Sequence, residues 1–412
     1  MKKTLWALIS LLLLLAVSGC AVEEPQQTTT PPVEVQTPYE AIARQPQYQG
    51  VALTMQASWQ RADPEAQVLL QAAAVFEKKT GAQVTILWPG EGAAVPDDDA
   101  VVDIFQISAE DFSGMRSDYV LNLTQMAEQA DYDAKSHPVL RTQIIGQWGF
   151  LGAVAQTPYL GGVYYNADVF AQCALAELPQ SWDDFLKLCQ SLYQSGWQPL
   201  TLDQQDALLA TELHLRRSIG AGETQRLMGA DGHWYDDQPA MAALEQVMHF
   251  RQAGFVATGT PAEYPAGQNK MALSNSAMMI GTNQDCADVE AATRTDLNWG
   301  VFPYPGSTGS GTWMSADVLV IHRDTAHAQA AFDFVMLLAT GEFDQLRADI
   351  SCGIPADPAN ASPIAGAMEA MEAAEPEPLG LLGSNQLDVS VKLWSGWYDD
   401  VGRYASRLES SK

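Results

Sequence analysis

The stretch Tyr159–Phe185 reads YLGGVYYNADVFAQCALAELPQSWDDF. Two glycines precede a short apolar run, Val163–Tyr165, whose β-branched and aromatic residues favour a strand. Asn166 is a good N-cap residue, so a helix is predicted to begin after it. Pro179 separates this helix from a second one that is predicted to begin after Ser181, another N-cap residue. The stretch therefore predicts the order strand, helix, turn, helix.

Upstream, the sequence predicts a strand, a helix and a second strand in close succession. Val51–Met55 is an apolar run, and Pro64 suits the first turn of a helix whose apolar residues recur at helical spacing up to Thr80. Val84–Trp88 predicts the next strand, so this segment is a βαβ unit with parallel strands and a right-handed crossover. Val101–Phe105 predicts a further buried strand, whose carboxyl end would face the ligand side of an open α/β sheet.

Length, charge and motifs limit the class of protein. A chain of 412 residues suits two lobes of about 150–200 residues each. A formal net charge of −28 argues against binding to nucleic acid or to an anionic lipid surface. The phosphate loop GxxxxGK[ST], the zinc motif HExxH and CxxC pairs are absent from the sequence. Asp97–Asp99 lack the glycine and the distal glutamate of an EF-hand loop, so we predict no metal and no cofactor.

The first residues carry the pattern of an export signal. Two lysines precede the apolar run Leu5–Val17, which is short for a membrane span, and small residues follow it. We predict a signal peptide over residues 1–19, the alternative being an uncleaved anchor. The sequence VSGC resembles a bacterial lipobox, which implies that Cys20 is lipidated. Residues 20–49 are rich in Pro, Thr, Gln and Glu, as is typical of a flexible tether.

The opening stretch, with its tyrosine-asparagine pair, its proline and its tryptophan before a helix, resembles the lobe-crossing segment of extracellular solute-binding proteins of ABC importers. The similarity is to the carbohydrate-binding, maltose-binding-protein-like members. The segments FEKKTGAQV (Phe76–Val84), GVFPYPG (Gly300–Gly306) and CGIP (Cys352–Pro355) resemble other parts of the same family. The resemblance therefore covers about Val51–Arg407.

This resemblance implies an α/β, periplasmic-binding-protein-like fold of type II. Each of its two lobes is a mainly parallel sheet flanked by helices, and a hinge joins the lobes. The predicted lobes comprise residues 50–158 plus 310–350 and residues 159–309 plus 351–412. The chain is expected to cross between them near residues 158–163 and 306–312.

A cleft that binds a solute needs apolar platforms beside fixed hydrogen-bonding groups, and sugars suit aromatic rings flanked by carboxylates and amides. In the family, a tryptophan usually follows the strand that ends at Gly281, whereas this chain has Thr282 and Asn283 there. Amide and carboxylate contacts are expected to replace that ring. The candidate ligand-binding residues are Trp59, Asp63, Glu110, Asp111, Tyr159, Asn283, Asp285, Trp313, Trp397 and Tyr398.

Most of these residues also have a structural interpretation. Asp63 can simply cap the helix that begins at Pro64, and Glu110 with Asp111 can form a solvated helix start. Any tryptophan can belong to a core, which is our interpretation of Trp182. Since the usual aromatic residue is missing, an oligopeptide or a polyamine stays open as the solute.

The expected function is capture of a sugar or oligosaccharide by hinge closure and its delivery to membrane permeases. The protein is expected to be a monomer, tethered by lipid to the extracellular face of the membrane, and not an enzyme. The alternatives are a sensory or adhesive binding lipoprotein and an exported glycoside-active hydrolase, although GxSxG is absent. The remaining cysteines allow three disulfide pairings, and the sequence does not choose among them: Cys173, Cys189, Cys286 and Cys352.

Overall fold

The computed structural model describes residues 47–92, 95, 102–202, 206–228, 237–258, 275–294, 296–305 and 312–376. The strands are β1 (Ala52–Gln56), β2 (Gln83–Leu87), β3 (Ile104–Ile107), β4 (Ala153–Asn166), β5 (Gln198–Leu202), β6 (Val256–Thr258), β7 (Ser276–Gly281), β8 (Trp299–Phe302), β9 (Trp313–Ile321) and β10 (Glu375–Pro376). The predicted signal peptide, Cys20, Trp397 and Tyr398 lie outside the described residues.

The helices surround these strands. They are α1 (Pro64–Thr80), α2 (Ala109–Gly114), α3 (Thr124–Gln129), α4 (Pro138–Trp148), α5 (Ala167–Gln172), α6 (Trp182–Gln194), α7 (Asp206–Ile219), α8 (Ala221–Met228), α9 (Gln238–Gln252), α10 (Asn283–Thr293), α11 (Ala328–Ala339), α12 (Gly341–Ile350) and α13 (Ala367–Ala373). None of the described helices is long and apolar enough to cross a lipid bilayer.

The local signals of the sequence are confirmed where they were strongest. β1 and β2 pair in parallel on either side of α1, as the βαβ prediction requires. Gly81 ends α1 in the left-handed conformation, which glycine adopts without a steric penalty. The side chain of Asn166 accepts hydrogen bonds from two backbone N–H groups at the start of α5. That of Ser181 accepts one at the start of α6.

One mixed sheet runs through the described part of the chain in the order β2-β1-β3-β9-β4-β7-β5-β6, with β8 beside β4 and β10 beside β9. β1 is parallel to β2 and β3, and β5 is parallel to β6 and β7. β9 is antiparallel to both of its main neighbours, β3 and β4. Two parallel groups of strands are therefore joined through the long antiparallel pair β4 and β9.

The predicted crossing near residues 158–163 lies within β4, a strand of 14 residues. Ala153–Gly161 pairs with β9, whereas Gly162–Tyr165 pairs with β7 and Val163–Asn166 with β8. The chain therefore passes from one group of strands to the other without leaving its extended conformation. Residues 306–311 of the predicted return crossing lie outside the described residues.

Two hydrophobic cores form on this sheet. The first gathers side chains of β1, β3, β9, α1 and α11, and the second gathers those of β5, α6, α7 and α9. Ile354, Ile364 and Met371 belong to the first core. This placement favours the first lobe for the segment around them, which we had assigned to the second lobe. The division into lobes stays a prediction.

The second core buries an uncharged histidine. His214 is fully buried, with its Nδ1 atom 3.1 Å from the Tyr304 hydroxyl and its Nε2 atom 2.8 Å from the carbonyl oxygen of Ala243. Burial, with a smaller effect of the neighbouring Arg217 charge, holds the pKa of His214 well below its usual value of 6.5. Trp182 packs against His214 and Phe250, which confirms its interpretation as a packing residue.

This histidine is expected to make the fold sensitive to acid. Because its pKa is lower in the folded chain, the unfolded chain binds the proton first as the pH falls below 6.5. The contribution of His214 to the free energy of unfolding is therefore at its full value above pH 6.5. Below that pH it falls by up to about 1.4 kcal/mol per pH unit. Urea unfolding between pH 7 and pH 5 should give a shallower pH dependence for His214→Gln than for the wild type. The exposed His249→Gln is the control, and equal slopes for His214→Gln and the wild type would refute the prediction.

Candidate functional site

The crossing strand and β9 carry a row of polar and aromatic side chains on one face. In their antiparallel register Thr157 lies opposite Asp317, Tyr159 opposite Ser315, and Gly161 opposite Trp313. Alternate residues of a strand share a face, and directly opposite residues share it as well. We call this set the crossing face: Thr157, Tyr159, Trp313, Ser315 and Asp317.

The crossing face lies where the two cores meet. Trp313 belongs to the second core, and Tyr159 packs against it. The intervening residues Leu160, Met314 and Ala316 point the other way and belong to the first core. Ligand sites occur preferentially at such boundaries between packed units. A β-bulge at Gln156, between the paired residues Ala155 and Thr157, re-aims the strand just before this face.

Tyr159 and Asp317 form a hydrogen-bonded pair across the two strands, with the tyrosine hydroxyl donating to the carboxylate. Burial first, and then the charge of Asp317, raise the pKa of Tyr159 far above its usual range, so the phenol stays protonated. The carboxylate of Glu65, in the first turn of α1, acts in the same direction.

Three buried polar atoms of the crossing face have no hydrogen-bond partner among the described residues. They are the indole Nε1 of Trp313 and the hydroxyl oxygens of Ser315 and Thr157. Buried polar groups are nearly always satisfied, so each of these atoms needs an explanation. One donor and two hydroxyls beside a carboxylate are the groups that bind a polyhydroxylated solute.

Glycine at position 161 is what allows the Trp313 ring to lie flat on β4. A Cβ atom there would come within 2.8 Å of the Trp313 Cε2 atom and 3.0 Å of its Nε1 atom. The indole therefore occupies the space that a side chain would take, with its N–H on the crossing face. Gly161 permits this close approach, whereas a Cβ atom at Gly162 would lie 3.1 Å from the Cγ2 atom of Val301 instead.

Gly161→Ala is expected to displace the Trp313 ring. Overpacking of this kind costs about 1–3 kcal/mol of unfolding free energy, and the affinity for the solute should fall as well. Gly146→Ala in α4 is the matched control, because nothing lies within 4 Å of a Cβ atom there. Within a helix, that change is expected to stabilise by about 0.5–1 kcal/mol. Urea unfolding measures both variants, and a Gly161→Ala protein as stable as the wild type would contradict this account.

Asn283 hydrogen-bonds to the backbone of β4 on the edge that does not pair with β9. Its Oδ1 atom accepts a hydrogen bond from the Leu160 N–H at 3.0 Å, and its Nδ2 donates to the Pro158 carbonyl oxygen at 3.1 Å. The side chain is 2% exposed, and both of its polar atoms are engaged. These two bonds fix the backbone of the crossing, and the contact of Asn283 with a solute stays a prediction.

Glutamine side chains connect the edge of the first group of strands with the crossing strand. Gln106 accepts a hydrogen bond from the Ser58 N–H at 2.9 Å, directly after β1. Its Nε2 atom donates to the Oε1 atom of Gln156 at 2.8 Å. Gln106 and Gln156 are almost fully buried. The loop that follows β1 is thereby fixed relative to the bulge in β4.

The other predicted residues of the first lobe lie at the ends of its strands. Trp59 is half-buried and packs against the first core. Asp63 accepts a hydrogen bond from the Gln60 N–H rather than from the helix that it precedes. Ser108 and Asp111 bond to each other at the start of α2. In the described part of the chain, the hydrogen bonds of Asp63 and Asp111 stay within their own turns.

Two further predicted residues have limited or structural roles. Glu110 lies in α2, and its side chain is outside what the structure describes. Asp285 accepts the backbone N–H of Thr282 at 2.7 Å and completes a capping box at the start of α10. The prediction that Asp285 meets a solute hydroxyl has no support in these contacts. Of the predicted residues, the structure brings Tyr159 and Trp313 together.

Sequence reasoning missed Thr157, Ser315 and Asp317. Ser315 and Asp317 lie in the first part of β9, before its most apolar residues, Val318–Ile321. The signal was present, because the stretch TWMSADV places Trp, Ser and Asp at alternate positions of an extended segment. Among the described residues, no group of three His, Cys, Asp or Glu side chains is placed to hold a metal ion.

A wider groove of about 750 Å³ lies between α6 and α9. Trp182, Leu186 and Phe250 are among the residues that border it, and none of the crossing-face residues does. Trp182 is already packed against Phe185 and Phe250. The crossing face differs from this groove in carrying buried polar atoms without hydrogen-bond partners among the described residues.

Residues 56–342 match the family described as bacterial extracellular solute-binding protein. The chain belongs to this family. Its members are binding proteins and are extracellular, which agrees with the expected class and location. No curated protein matches the sequence of this solute-binding protein.

Solved structures share the two-lobed fold of this solute-binding protein at low sequence identity. The apo form of RafE from Streptococcus pneumoniae has a TM-score of 0.65 and 17% identity, covering 87% of this chain and 96% of that one. The GacH receptor of Streptomyces glaucescens, described unliganded and with acarbose, has a TM-score of 0.59 and 16% identity, covering 87% and 97%. A sugar transporter of Bacillus licheniformis in complex with stachyose has a TM-score of 0.53 and 17% identity, covering 88% of this chain and 99% of that one. The predicted fold class is thereby confirmed.

Proposed function

We propose that this chain is the substrate-binding lipoprotein of an ABC importer and that it captures a sugar or oligosaccharide at the crossing face. The observation that carries the proposal is the set of three buried polar atoms without partners beside the Tyr159–Asp317 pair. A sugar can bond to each of them through its hydroxyl groups, while its C–H face lies on an aromatic ring. The names of similar structures, which include raffinose, stachyose and acarbose complexes, support this solute class.

Capture follows from a hinge between the two predicted lobes. The crossing face lies on the strands that join them, so a solute bound there contacts the pivot of any rotation. Only a solute that binds the closed arrangement better than the open one stabilises closure. The closed, loaded protein then delivers its solute to the permease subunits without transforming it. Cys20 carries the lipid that keeps the monomer at the extracellular face of the membrane.

A thermal-shift screen tests the solute class. The panel contains raffinose, stachyose and maltotetraose, with a tetrapeptide and spermidine as the alternatives that the sequence leaves open. A bound sugar at a hundredfold excess over its Kd stabilises the folded protein by about 2.7 kcal/mol, which raises the unfolding midpoint. We expect a shift with at least one oligosaccharide and none with the peptide or the polyamine. A response to the peptide or to spermidine alone would rule out the carbohydrate proposal.

A further inference from the structure

Two cysteines that are far apart in the sequence lie together beside α10. Cys352 Sγ is 3.9 Å from the Oε1 atom of Glu290. Cys286 lies four residues before Glu290 in the same helix, so the two share a face. Cys286 belongs to the first core, and Cys352 packs against that core. The contacts therefore place the Cys352 sulfur over the helix face that carries Cys286.

The electrostatics of the two thiols agree with this placement. Burial, followed by a hydrogen bond to the Cys352 side chain, raises the pKa of the Cys286 thiol well above its usual value. Both sulfurs also act on the buried hydroxyl of Tyr164, and burial is the main reason that its pKa is raised. Cys286 is fully buried, whereas Cys352 is partly accessible.

The end of α12 fixes the backbone at Cys352. Its φ angle is +50°, in the left-handed region, and the N–H of Gly353 donates to the carbonyl oxygen of Ala348 at 2.8 Å. These are the features of a helix end that closes through a left-handed residue. The turn thereby holds Cys352 beside the last residues of α12.

We propose that Cys286 and Cys352 form a disulfide bond when the protein meets an oxidising medium. The Cys352 thiolate attacks a small disulfide RSSR and releases one RS⁻, which leaves a mixed disulfide on Cys352. The Cys286 sulfur, on losing its proton, then attacks the Cys352 sulfur and releases the second RS⁻. The protein loses two electrons and two protons, and RSSR becomes two RSH. Because Cys286 is fully buried in the folded protein, we expect its oxidation to take place during folding.

This disulfide bond would crosslink α10, the helix whose first residue hydrogen-bonds to β4. α10 begins with Asn283, whose side chain fixes the backbone at Pro158 and Leu160. Cys352 lies just after α12, next to Ile354 of the first core. The disulfide therefore ties α10 to the C-terminal part of the first core. A crosslink that closes a long loop stabilises mainly by restricting the unfolded chain.

Counting free thiols in the wild-type protein tests the bond without any substitution. The protein is refolded in a buffer of reduced and oxidised glutathione, alkylated in denaturant and weighed by intact mass spectrometry. Of the four cysteines other than Cys20, we expect two to be alkylated, and we expect a non-reduced peptide pair that joins Cys286 to Cys352. Four alkylated cysteines, or a crosslink that involves Cys173 or Cys189, would overturn the proposal. The buffer supplies the oxidant, so a negative result leaves the proposed solute binding and export untouched.

Single substitutions test the consequence for stability. The oxidised wild type should unfold at least about 2 °C above the reduced protein. Cys352→Ser should have the same midpoint in both buffers and three alkylated thiols. Cys173→Ser is the matched control, because it should keep the crosslink and the difference in midpoint. Equal midpoints for oxidised and reduced wild type would contradict the stabilising role.

Discussion

Replacing Asp344 with alanine is expected to lower the free energy of unfolding by about 3–5 kcal/mol. Its side chain is fully buried and forms an ion pair with Arg347, which is itself 2% exposed, at 2.7 Å. The same carboxylate accepts hydrogen bonds from the N–H groups of Ala356 and Asp357 and from the side chain of Asn360, each at 3.0 Å. Alanine would leave the buried Arg347 charge without its counter-ion and the buried N–H groups of Ala356 and Asp357 without their acceptor.

Asp349→Ala is the control for this prediction. Asp349 lies in the same helix, α12, but is exposed, and Gln345 donates to it at 2.8 Å. Its loss is expected to change the free energy of unfolding by no more than about 0.5 kcal/mol. Urea unfolding at pH 7 compares the two variants. If Asp344→Ala were no less stable than Asp349→Ala, the buried network could not be what holds the turn after α12.

The second large effect is expected for Asn283→Ala, with a loss of about 2–4 kcal/mol. The register that pairs Gly162 with Gly281 brings position 283 opposite Leu160, where β7 has already ended. The Asn283 amide continues the ladder there by bonding to Leu160 and Pro158. Alanine would leave a buried N–H and a buried C=O without partners. Since the crossing face lies on this strand, solute affinity should fall together with stability.

Gln284→Ala is the matched control for Asn283→Ala. Gln284 is the next residue of α10 and is exposed, so its replacement should change neither stability nor affinity measurably. Hydrogen exchange adds a local readout, because the Leu160 N–H should exchange faster in Asn283→Ala. Unchanged protection of that amide would show that the side-chain bond does not hold the crossing.

Local signals let the sequence predict most of the fold. The strand-helix-strand unit at the start of the described chain and the caps at Asn166 and Ser181 depend on a few neighbouring residues, and all were confirmed. The length of β4 was not predictable in this way. Pro158, Gly161 and Gly162 favour a break locally, whereas pairing with β9 on one edge and with Asn283 on the other keeps the segment extended.

The candidate site depends on contacts that no local pattern contains. Tyr159 and Trp313 were selected for their residue types, and the register of β4 with β9 brings them together. Asp317 is a candidate because it accepts a hydrogen bond from Tyr159, which lies 158 positions earlier in the sequence. Asn283 was expected to contact the solute because it replaces an aromatic residue. Its bonds to the backbone of β4 follow from the strand that ends two residues before it.

The crossing face is most directly tested by removing two of its polar atoms that have no partner. In the double variant Thr157→Val/Ser315→Ala, no hydrogen bond within the described structure is lost at either hydroxyl. Its stability without solute should therefore equal or exceed that of the wild type. Calorimetric titration with the oligosaccharide that responds in the screen should nevertheless give an affinity at least about tenfold lower. Wild-type affinity in this variant would mean that the two hydroxyls bind only water and that the solute lies elsewhere.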